Sequence, residues 1–201
     1  MPTAFVELLV EEPSIEPVLN SLLPRMIPGT DFGIYVHNCK EDLRRKLGNR
    51  LRGYASWLPV DWRVLVVLDR DNDDCRRLKK WLEEEARKAG LRTRTASYGG
   101  AYQLVNRIIV EEIESWFFGE WEAVRAAYPR VPARCPCKDV ENVRGGTWEA
   151  LERVLQRAGY FHGGLHKTEL ARAVAPHLTP DGNRSHSFCV LRDVLREMAR
   201  S

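Results

Sequence analysis

Hydrophobic and polar positions follow two different periodicities along the first 110 residues of the chain. Short, continuous apolar runs predict strands, because a strand that is buried on both faces is apolar at every position. Segments with apolar residues at roughly every third or fourth position predict amphipathic helices. The predicted strands are 4–10, 33–37, 64–68, 91–96 and 103–110, and the predicted helices are 14–23, 40–57 and 75–89. The start of the last predicted strand is also compatible with a helix.

This alternation of strands and helices predicts an α/β fold with a mostly parallel, Rossmann-like sheet and right-handed crossovers. The pattern changes after residue 120. Residues 128–146 are rich in Pro, Gly and Cys and predict a loop, and helical patterns follow at 147–158, 167–177 and 187–200. We therefore predict one α/β domain, residues 1–120, and a helical appendage, residues 121–201, that packs on it.

The composition is that of a globular protein, with 201 residues of which 44% are hydrophobic. No apolar run approaches the length of a membrane span, and the opening segment MPTAFVELLVEE lacks the basic start of a signal peptide. Five cysteines without the regular spacing of a disulfide framework favour a reducing compartment. We therefore expect a cytoplasmic protein that is not associated with a membrane.

The net charge of +3 is too small to indicate a nucleic-acid partner by itself. Its distribution is more informative: residues 1–120 contain 18 Lys and Arg against 19 Asp and Glu, and residues 121–201 contain 13 against 9. An acidic site beside a mildly basic appendage would suit a polyanionic substrate that is held over a metal ion.

Acidic residues follow three of the predicted strands. Glu11 and Glu12 follow the first, Asp69, Asp71, Asp73 and Asp74 follow the central one, and Glu111, Glu112 and Glu114 follow the last. Parallel strands bring their carboxyl ends to one edge of the sheet, where α/β proteins bind ligands. Crowded carboxylates raise one another's pKa, and a hard divalent cation relieves the repulsion. The sequence therefore predicts a Mg²⁺ or Mn²⁺ site at this edge.

Other interpretations of the stretch WRVLVVLDRDNDD, residues 62–74, were compared with this one. An EF-hand calcium loop needs Gly at its sixth position and Glu at its twelfth, whereas this chain has Asp74 and Lys80 there. A DxD motif that grips a nucleotide-sugar through a metal ion remains an alternative. The structural alternative is an acidic helix N-terminus, where negative charge suits the macrodipole.

The order of these motifs resembles the TOPRIM (topoisomerase–primase) superfamily. LLVEE at 8–12 and VLVVLDRDND at 64–73 resemble its first-strand Glu and its DxD motif. EEIESWFF at 111–118 and NRSHSF at 183–188 resemble segments of bacterial TOPRIM-like proteins that are related to the OLD nucleases and often encoded beside ATPases. One position departs from the pattern, because TOPRIM domains usually have Gly where this chain has Glu12.

The resemblance implies roles for individual carboxylates. Glu11 would act as the acid/base group or as a ligand of a second metal ion. Asp69 and Asp71 would hold Mg²⁺, and Asp73 would be an outer ligand. Glu114 would match the downstream acid of the OLD-like branch. The chemistry implied is hydrolysis or transfer of a phosphodiester.

Basic residues are the candidates for contacts with substrate phosphate. Lys167, Arg184 and His186 lie near predicted helix starts in the appendage, and Arg44, Arg45 and Arg50 lie on the helix 40–57. The leading hypothesis is a Mg²⁺-dependent nuclease that acts on DNA or RNA, with an ATPase partner and a role in defence. The alternatives are a DxD nucleotidyl- or glycosyltransferase and a catalytically silent subunit that regulates an ATPase.

Overall fold

In the computed structural model, which describes residues 2–201, the chain has an α/β fold with one parallel sheet. The strands are β1 (Phe5–Val10), β2 (Asp31–Val36), β3 (Trp62–Asp69) and β4 (Leu104–Ile109). The helices are α1 (Ile15–Met26), α2 (Lys40–Trp57), α3 (Cys75–Ala89), α4 (Glu114–Gly119), α5 (Trp121–Ala127), α6 (Thr147–Arg157), α7 (Lys167–Val174) and α8 (His186–Arg200), with a 3₁₀ turn at Ala175–His177. Within these residues no helix is long and apolar enough to cross a membrane.

The strands are ordered β2-β1-β3-β4, and every neighbouring pair is parallel. The chain moves outward from β1 to β2 and then crosses back over β1 to form β3. The direction of winding therefore reverses between β1 and β3, and ligands of such sheets bind outside the carboxyl ends of the strands at this reversal. The predicted α/β class with a Rossmann-like parallel sheet is confirmed.

Each face of the sheet is covered by helices. Val64, Val66 and Leu68 of β3 pack on the side of α2 and α3. Leu65 and Val67 point to the opposite side, where α1 and the helices α4 to α8 form the larger core. Because both faces are buried, the central strand is apolar at consecutive positions, as the sequence predicts.

The helices of residues 121–201 pack on the sheet and share its larger core. Phe188 of α8 packs edge-to-face against Trp116 of α4, with ring centroids 5.2 Å apart. Trp116 also donates its indole N–H to Ser187 Oγ at 3.3 Å. These contacts join α8 to α4, while the predicted division into an α/β domain, residues 1–120, and a helical appendage, residues 121–201, stays a prediction.

The helix bounds predicted for α2 and α3 are confirmed at both ends. Gly90 ends α3 in the left-handed conformation, with φ of 84°, which glycine adopts without strain. The predicted strand 91–96 is wrong, because this segment makes only an isolated bridge between Thr93 and Leu104. The side chains of Thr93 and Thr95 donate to Glu83 of α3 instead, and this holds the segment against the helix.

The helix α4 ends where the chain that leads into α8 packs directly on it. A Cβ atom at Gly119 would lie 2.0 Å from Asn183 Oδ1. Asn183 cannot move away without breaking two hydrogen bonds. Its Nδ2 donates to Trp116 O at 2.7 Å, and its Oδ1 accepts from Ser185 N at 2.9 Å. We expect Gly119→Ala to lower the free energy of unfolding by about 2 kcal/mol through overpacking, measured by urea denaturation.

The matched control is Gly53→Ala. Gly53 lies in the interior of α2, and a Cβ added there would meet no heavy atom within 4 Å. This substitution should leave stability unchanged or raise it by up to about 1 kcal/mol, since alanine favours a helix. Equal stabilities of the two variants would contradict the close packing at Gly119.

Candidate active site

Glu11 and Asp69 meet at the point where the winding of the sheet reverses. Glu11 directly follows β1, and Asp69 is the last residue of the neighbouring strand β3. The backbone N–H of Asp69 donates to Glu11 Oε2 at 3.1 Å. Glu11 is 8% exposed and Asp69 is 5% exposed. The structure thus brings together two of the acids that the sequence assigns to the site.

Glu114, the first residue of α4, is the most deeply buried acid of this region, with no exposed surface. Within residues 2–201, neither of its carboxylate oxygens has a hydrogen-bond partner. The ammonium of Lys167 lies 4.0 Å from Glu114 Oε1 and 3.8 Å from Glu12 Oε2. Lys167 opens α7 and lies over the ring of Trp148, 5.1 Å from its centroid. It is therefore a cation between two carboxylates, beyond hydrogen-bonding distance of either.

Burial dominates the proton affinities of the three acids. It raises the pKa of Glu114 to about 8, against the opposing charge of Lys167. It raises the pKa of Glu11 to about 7, against the opposing charge of Lys40. Burial also raises the pKa of Asp69 well above its usual range, and the nearby Glu12, Glu11 and Glu114 raise it further. Each of these three acids therefore has a pKa above the usual value for its carboxyl group, with burial as the largest cause.

The two lysines near these acids respond in the opposite way. Burial acts to lower the pKa of Lys167, but the carboxylates around it, led by Glu114 and Glu12, outweigh burial and raise it. Burial acts to lower the pKa of Lys40 as well, and its hydrogen bond to Asp71 and the charge of Glu11 raise it above the usual value. Both lysines therefore stay charged.

Asp71 and Asp73 pair with cations of α2. Asp71 has a positive φ of 49°, and its carboxylate forms an ion pair with Lys40. Lys40 also lies 3.2 Å from Asp73 and donates to Arg70 O at 3.3 Å. Arg44 approaches the same oxygen of Asp73 at 2.9 Å. The second half of the DxD motif is thus compensated by cations of α2.

The predicted ligand set of Glu11, Asp69, Asp71, Asp73 and Glu114 is not preassembled. Across residues 2–201 no three His, Cys, Asp or Glu side chains are grouped so that they could hold a metal ion. The physical reason is that Asp71 and Asp73 form ion pairs with Lys40 and Arg44 and do not join Glu11 and Asp69. The charge of Asp71 nevertheless contributes to the raised pKa of Glu11.

The remaining acids of the region have structural roles. Asp74 caps α3, where its carboxylate accepts from Arg77 N at 2.8 Å. Glu111 forms an ion pair with Arg70 at 2.9 Å. Glu112 accepts from Thr147 Oγ1 at 3.1 Å and from the backbone N–H of Trp148 at 3.3 Å. It therefore supplies a hydrogen-bond acceptor to the first turn of α6. The adjacent Glu111 and Glu112 thus bind different parts of the fold, the loop after β3 and the start of α6.

Of the predicted phosphate contacts, only Lys167 reaches the buried acids. Arg184 donates to Cys137 O at 2.6 Å and to Lys138 O at 3.0 Å, so it holds the loop before α6. His186 opens α8 and lines a shallow groove with Arg184. Neither residue forms an ion pair with a carboxylate of the site in the described part of the chain.

Two of the three predicted phosphate contacts on α2, Arg45 and Arg50, are also engaged elsewhere. Arg45 pairs with Asp42 at 2.6 Å, and Arg50 stacks on Tyr35 with 3.2 Å between its guanidinium carbon and the ring centroid. Lys40 is the functional candidate that the sequence interpretation missed. The available signal was its place as the first residue of α2, where the macrodipole disfavours a positive charge.

Comparison with known proteins places these residues within one family model. The model described as "Domain of unknown function (DUF4276)" matches residues 10–198. The match spans the site from Glu11 to Lys167. No curated protein and no solved structure matches the chain.

The raised pKa values predict how stability depends on pH. The pKa of Glu114 is about 8 in the folded protein and near the usual 4.5 in the unfolded chain. Between these values the folded state holds a proton that the unfolded state has lost, so stability falls as pH rises. We expect Glu114→Gln to flatten this fall and to be more stable than the parent protein at about pH 8. The measurement is denaturant unfolding in EDTA between about pH 5 and pH 8.

Glu122→Gln is the matched control for this prediction. Glu122 is 76% exposed and pairs with Arg125 on the surface of α5. The same change of chemistry there should leave the pH dependence of unfolding close to that of the parent protein. Parallel pH curves for Glu114→Gln and the parent protein would contradict the burial of an ionisable Glu114.

Proposed function

The chain belongs to the DUF4276 family, and we propose that it is a Mg²⁺-dependent nuclease that hydrolyses phosphodiester bonds of DNA or RNA. One observation carries the proposal. Two acids from adjacent parallel strands, Glu11 and Asp69, are in contact at the winding reversal, beside the buried and unpartnered carboxylate of Glu114. Such a concentration of acids with perturbed pKa values at a ligand-binding edge favours catalysis over a purely structural role.

The chemistry of these residues fits a hard divalent cation. Glu114 has two buried oxygens without hydrogen-bond partners in the described chain, and an unpaired buried carboxylate is costly. Carboxylate oxygens are the ligands that Mg²⁺ and Mn²⁺ prefer. Asp69 and Glu114 would hold the ion, and Glu11 would act as the acid/base group beside it. When bound, it would neutralise charge on the phosphate and lower the pKa of a water molecule.

The protein's own residues would supply the remaining functions. Glu11, with a pKa of about 7, suits proton transfer near neutral pH. The charge of Lys40 acts on Glu11 and that of Lys167 acts on Glu114, and each lysine stands at the start of a helix. Their ammonium groups and the nearby helix N-termini would attract the phosphate oxygens of a substrate strand. Lys167 thus remains a proposed contact with substrate phosphate, and Lys40 is proposed as a second one.

Two further parts of the proposal, the partner and the location, are each supported by a single observation. An ATPase partner is proposed from the resemblance to the OLD-like branch alone. A cytoplasmic location suits the five cysteines, all of which are free thiols. DNA and RNA are both retained as substrates, because the acids and lysines of the site would bind the phosphodiester that the two share.

A catalytically silent subunit that regulates an ATPase is the second candidate function. It is favoured by the absence, across residues 2–201, of three side chains already grouped for a metal ion. A DxD transferase has less support, because Asp71 is paired with Lys40 rather than directed at the space beside Asp69. The two experiments that follow separate the nuclease from the silent subunit.

The first experiment measures metal binding through stability. We expect Mg²⁺ or Mn²⁺ to raise the melting temperature, because a ligand that binds only the folded state adds about 2.7 kcal/mol at about 100 times its dissociation constant. Asp69→Asn should abolish most of this shift. Asp74→Asn is the control, since asparagine caps a helix as well as aspartate does, and its shift should match the parent protein. Indifference of the parent protein to millimolar metal would favour the silent subunit.

The second experiment measures cleavage of single-stranded and duplex DNA and RNA with Mn²⁺. Asp69→Asn should reduce the rate at least about 100-fold, as expected for loss of a metal ligand. Asp74→Asn should cleave at the parent rate. Glu11→Gln should remove the limb of the pH–rate profile that reports this group, which the bound metal ion shifts below the metal-free pKa of about 7. If the parent protein binds metal but cleaves none of the four substrates, alone or with an ATPase encoded beside it, the nuclease proposal fails.

A further inference from the structure

The outer strand β4 leaves one side of its backbone without a neighbouring strand. In the parallel pair with β3, Val64 N–H donates to Gln103 O at 2.9 Å and Arg70 N–H donates to Ile109 O at 2.9 Å. In a parallel ladder, alternate residues of a strand direct their N–H and C=O groups to the same neighbour. The odd-numbered residues of β4 therefore face β3, and the even-numbered residues face outward.

The first part of this outer edge is closed. Leu104 donates to Arg92 O at 3.2 Å and accepts from Arg94 N at 2.8 Å. The carbonyl of Asn106 accepts from Lys79 Nζ at 2.9 Å. Ile108 differs, because no residue of the described chain pairs with its outward N–H or C=O. The edge is therefore open for strand pairing around Ile108.

A groove of about 560 Å³ runs along this open edge, between α3 and α8. Its base is formed by β4 and the residue that follows it, with the apolar side chains of Ile108 and Val110, and Val190 of α8 contributes to one wall. A peptide strand added to the open edge would thus find apolar surface for the side chains on one of its faces.

Positive charge surrounds the groove. The lining cations are Arg76, Lys79 and Lys80 of α3 and Arg107 of β4, joined by His186 of α8. The single lining acid is Glu83, which already pairs with Lys79 at 2.9 Å. The electrostatic field of the groove therefore favours an acidic occupant.

Two buried polar atoms of lining residues have no hydrogen-bond partner in residues 2–201. They are Asn106 Oδ1, in a side chain that is 1% exposed, and Arg107 Nε. Buried polar atoms are rarely left unpaired, because each forfeits its hydrogen bonds with water. Asn106 and Arg107 directly precede Ile108, so the unpaired acceptor and donor belong to the same short segment of β4.

We propose that this groove binds an extended, acidic peptide segment of a partner protein, which adds to the sheet as a strand beside β4. The outward N–H and C=O of Ile108 supply the backbone pairing, the apolar base accepts alternate side chains, and the basic rim pairs with the carboxylates of the others. The proposal does not depend on the nuclease activity.

Two other occupants fit the groove less well. A second copy of the chain that paired β4 with β4 would bring two sets of lining cations together, and like charges repel. A nucleic-acid strand would use aromatic side chains for base stacking, and no Trp, Tyr or Phe is among the lining residues. The pairing groups of Ile108 instead match the alternating donors and acceptors of a peptide.

The test begins with a display library of random peptides selected on the purified full chain. The expected winners alternate acidic and apolar residues. In titrations with an enriched peptide, Arg76→Glu should weaken binding at least about tenfold. The matched control is Arg77→Glu, since the neighbouring Arg77 lies on α3 outside the groove lining. It should stay within about twofold of the parent protein, because solvent screens an exposed charge that does not line the groove.

A second variant tests the strand pairing itself. Ile108→Pro removes the outward N–H but none of the bonds between β3 and β4, and proline is tolerated at such edge positions. We expect the peptide affinity to fall at least about tenfold and the melting temperature to fall only modestly, because Ile108 packs on the core as a partly buried side chain. If this variant does not fold, hydrogen exchange of the Ile108 amide in the parent protein replaces it, and bound peptide should slow that exchange.

Several outcomes would overturn the proposal. They are selection of no peptide, selection of peptides without acidic residues, and a peptide affinity that is the same in Arg76→Glu and Arg77→Glu. An Ile108 amide whose exchange is not slowed would also do so. Displacement of the peptide by single-stranded DNA or RNA, with loss of that nucleic-acid binding in Arg76→Glu, would reassign the groove to nucleic acid.

Discussion

The parallel sheet must be covered on both faces, and the rest of the structure depends on this constraint. Its strands leave no face for water, so α2 and α3 pack on one side while α1 and α4 to α8 pack on the other. The same winding brings the ends of β1 and β3 together at the reversal. Because α4 starts close to that edge, the acids there become buried rather than solvated. The electrostatics of the site are thus a consequence of how the sheet is covered.

Two lysines accompany the buried acids, and both occupy unusual positions. Lys40 begins α2 and Lys167 begins α7, where the helix macrodipole disfavours a positive charge. The carboxylates around each lysine outweigh that penalty, as the raised pKa of both ammonium groups indicates. A chain selected for stability alone would replace such a cluster with apolar side chains. Its presence is a departure from local rules of the kind that marks functional sites.

The sequence predicts those parts of the fold that depend on local periodicity. The apolar run of β3, the bounds of α2 and α3 and the stop at Gly90 all follow from burial pattern or backbone conformation. Other features do not. Trp116, Phe117 and Phe118 of α4 are all fully buried, so this helix shows no amphipathic period. The segment 91–96 has strand-like residues, but its pairing was decided by contacts with α3.

The candidate site was likewise predictable from the sequence only in part. The meeting of Glu11 and Asp69 follows from parallel topology alone, since both end adjacent strands. The divergence of Asp71 does not, because it depends on the positive φ of that residue and on Lys40, which lies on a separate helix. Arg184 was assigned to phosphate from its place near a helix start, whereas nearby backbone carbonyls of the loop before α6 take up its donors. Local sequence cannot show which partner a long side chain will choose.

The two lysines also differ in a way that bears on function. Lys40 makes short contacts with Asp71, Asp73 and the carbonyl of Arg70, so its charge is satisfied as in a structural ion pair. Lys167 remains 4.0 Å from Glu114, whose oxygens keep no hydrogen bond within the described chain. An ammonium that served only to neutralise Glu114 would gain by moving into contact. Glu114 therefore lacks a direct positive partner on its side of the site. A divalent cation would act there, while the Lys40 side holds the loop after β3 in place.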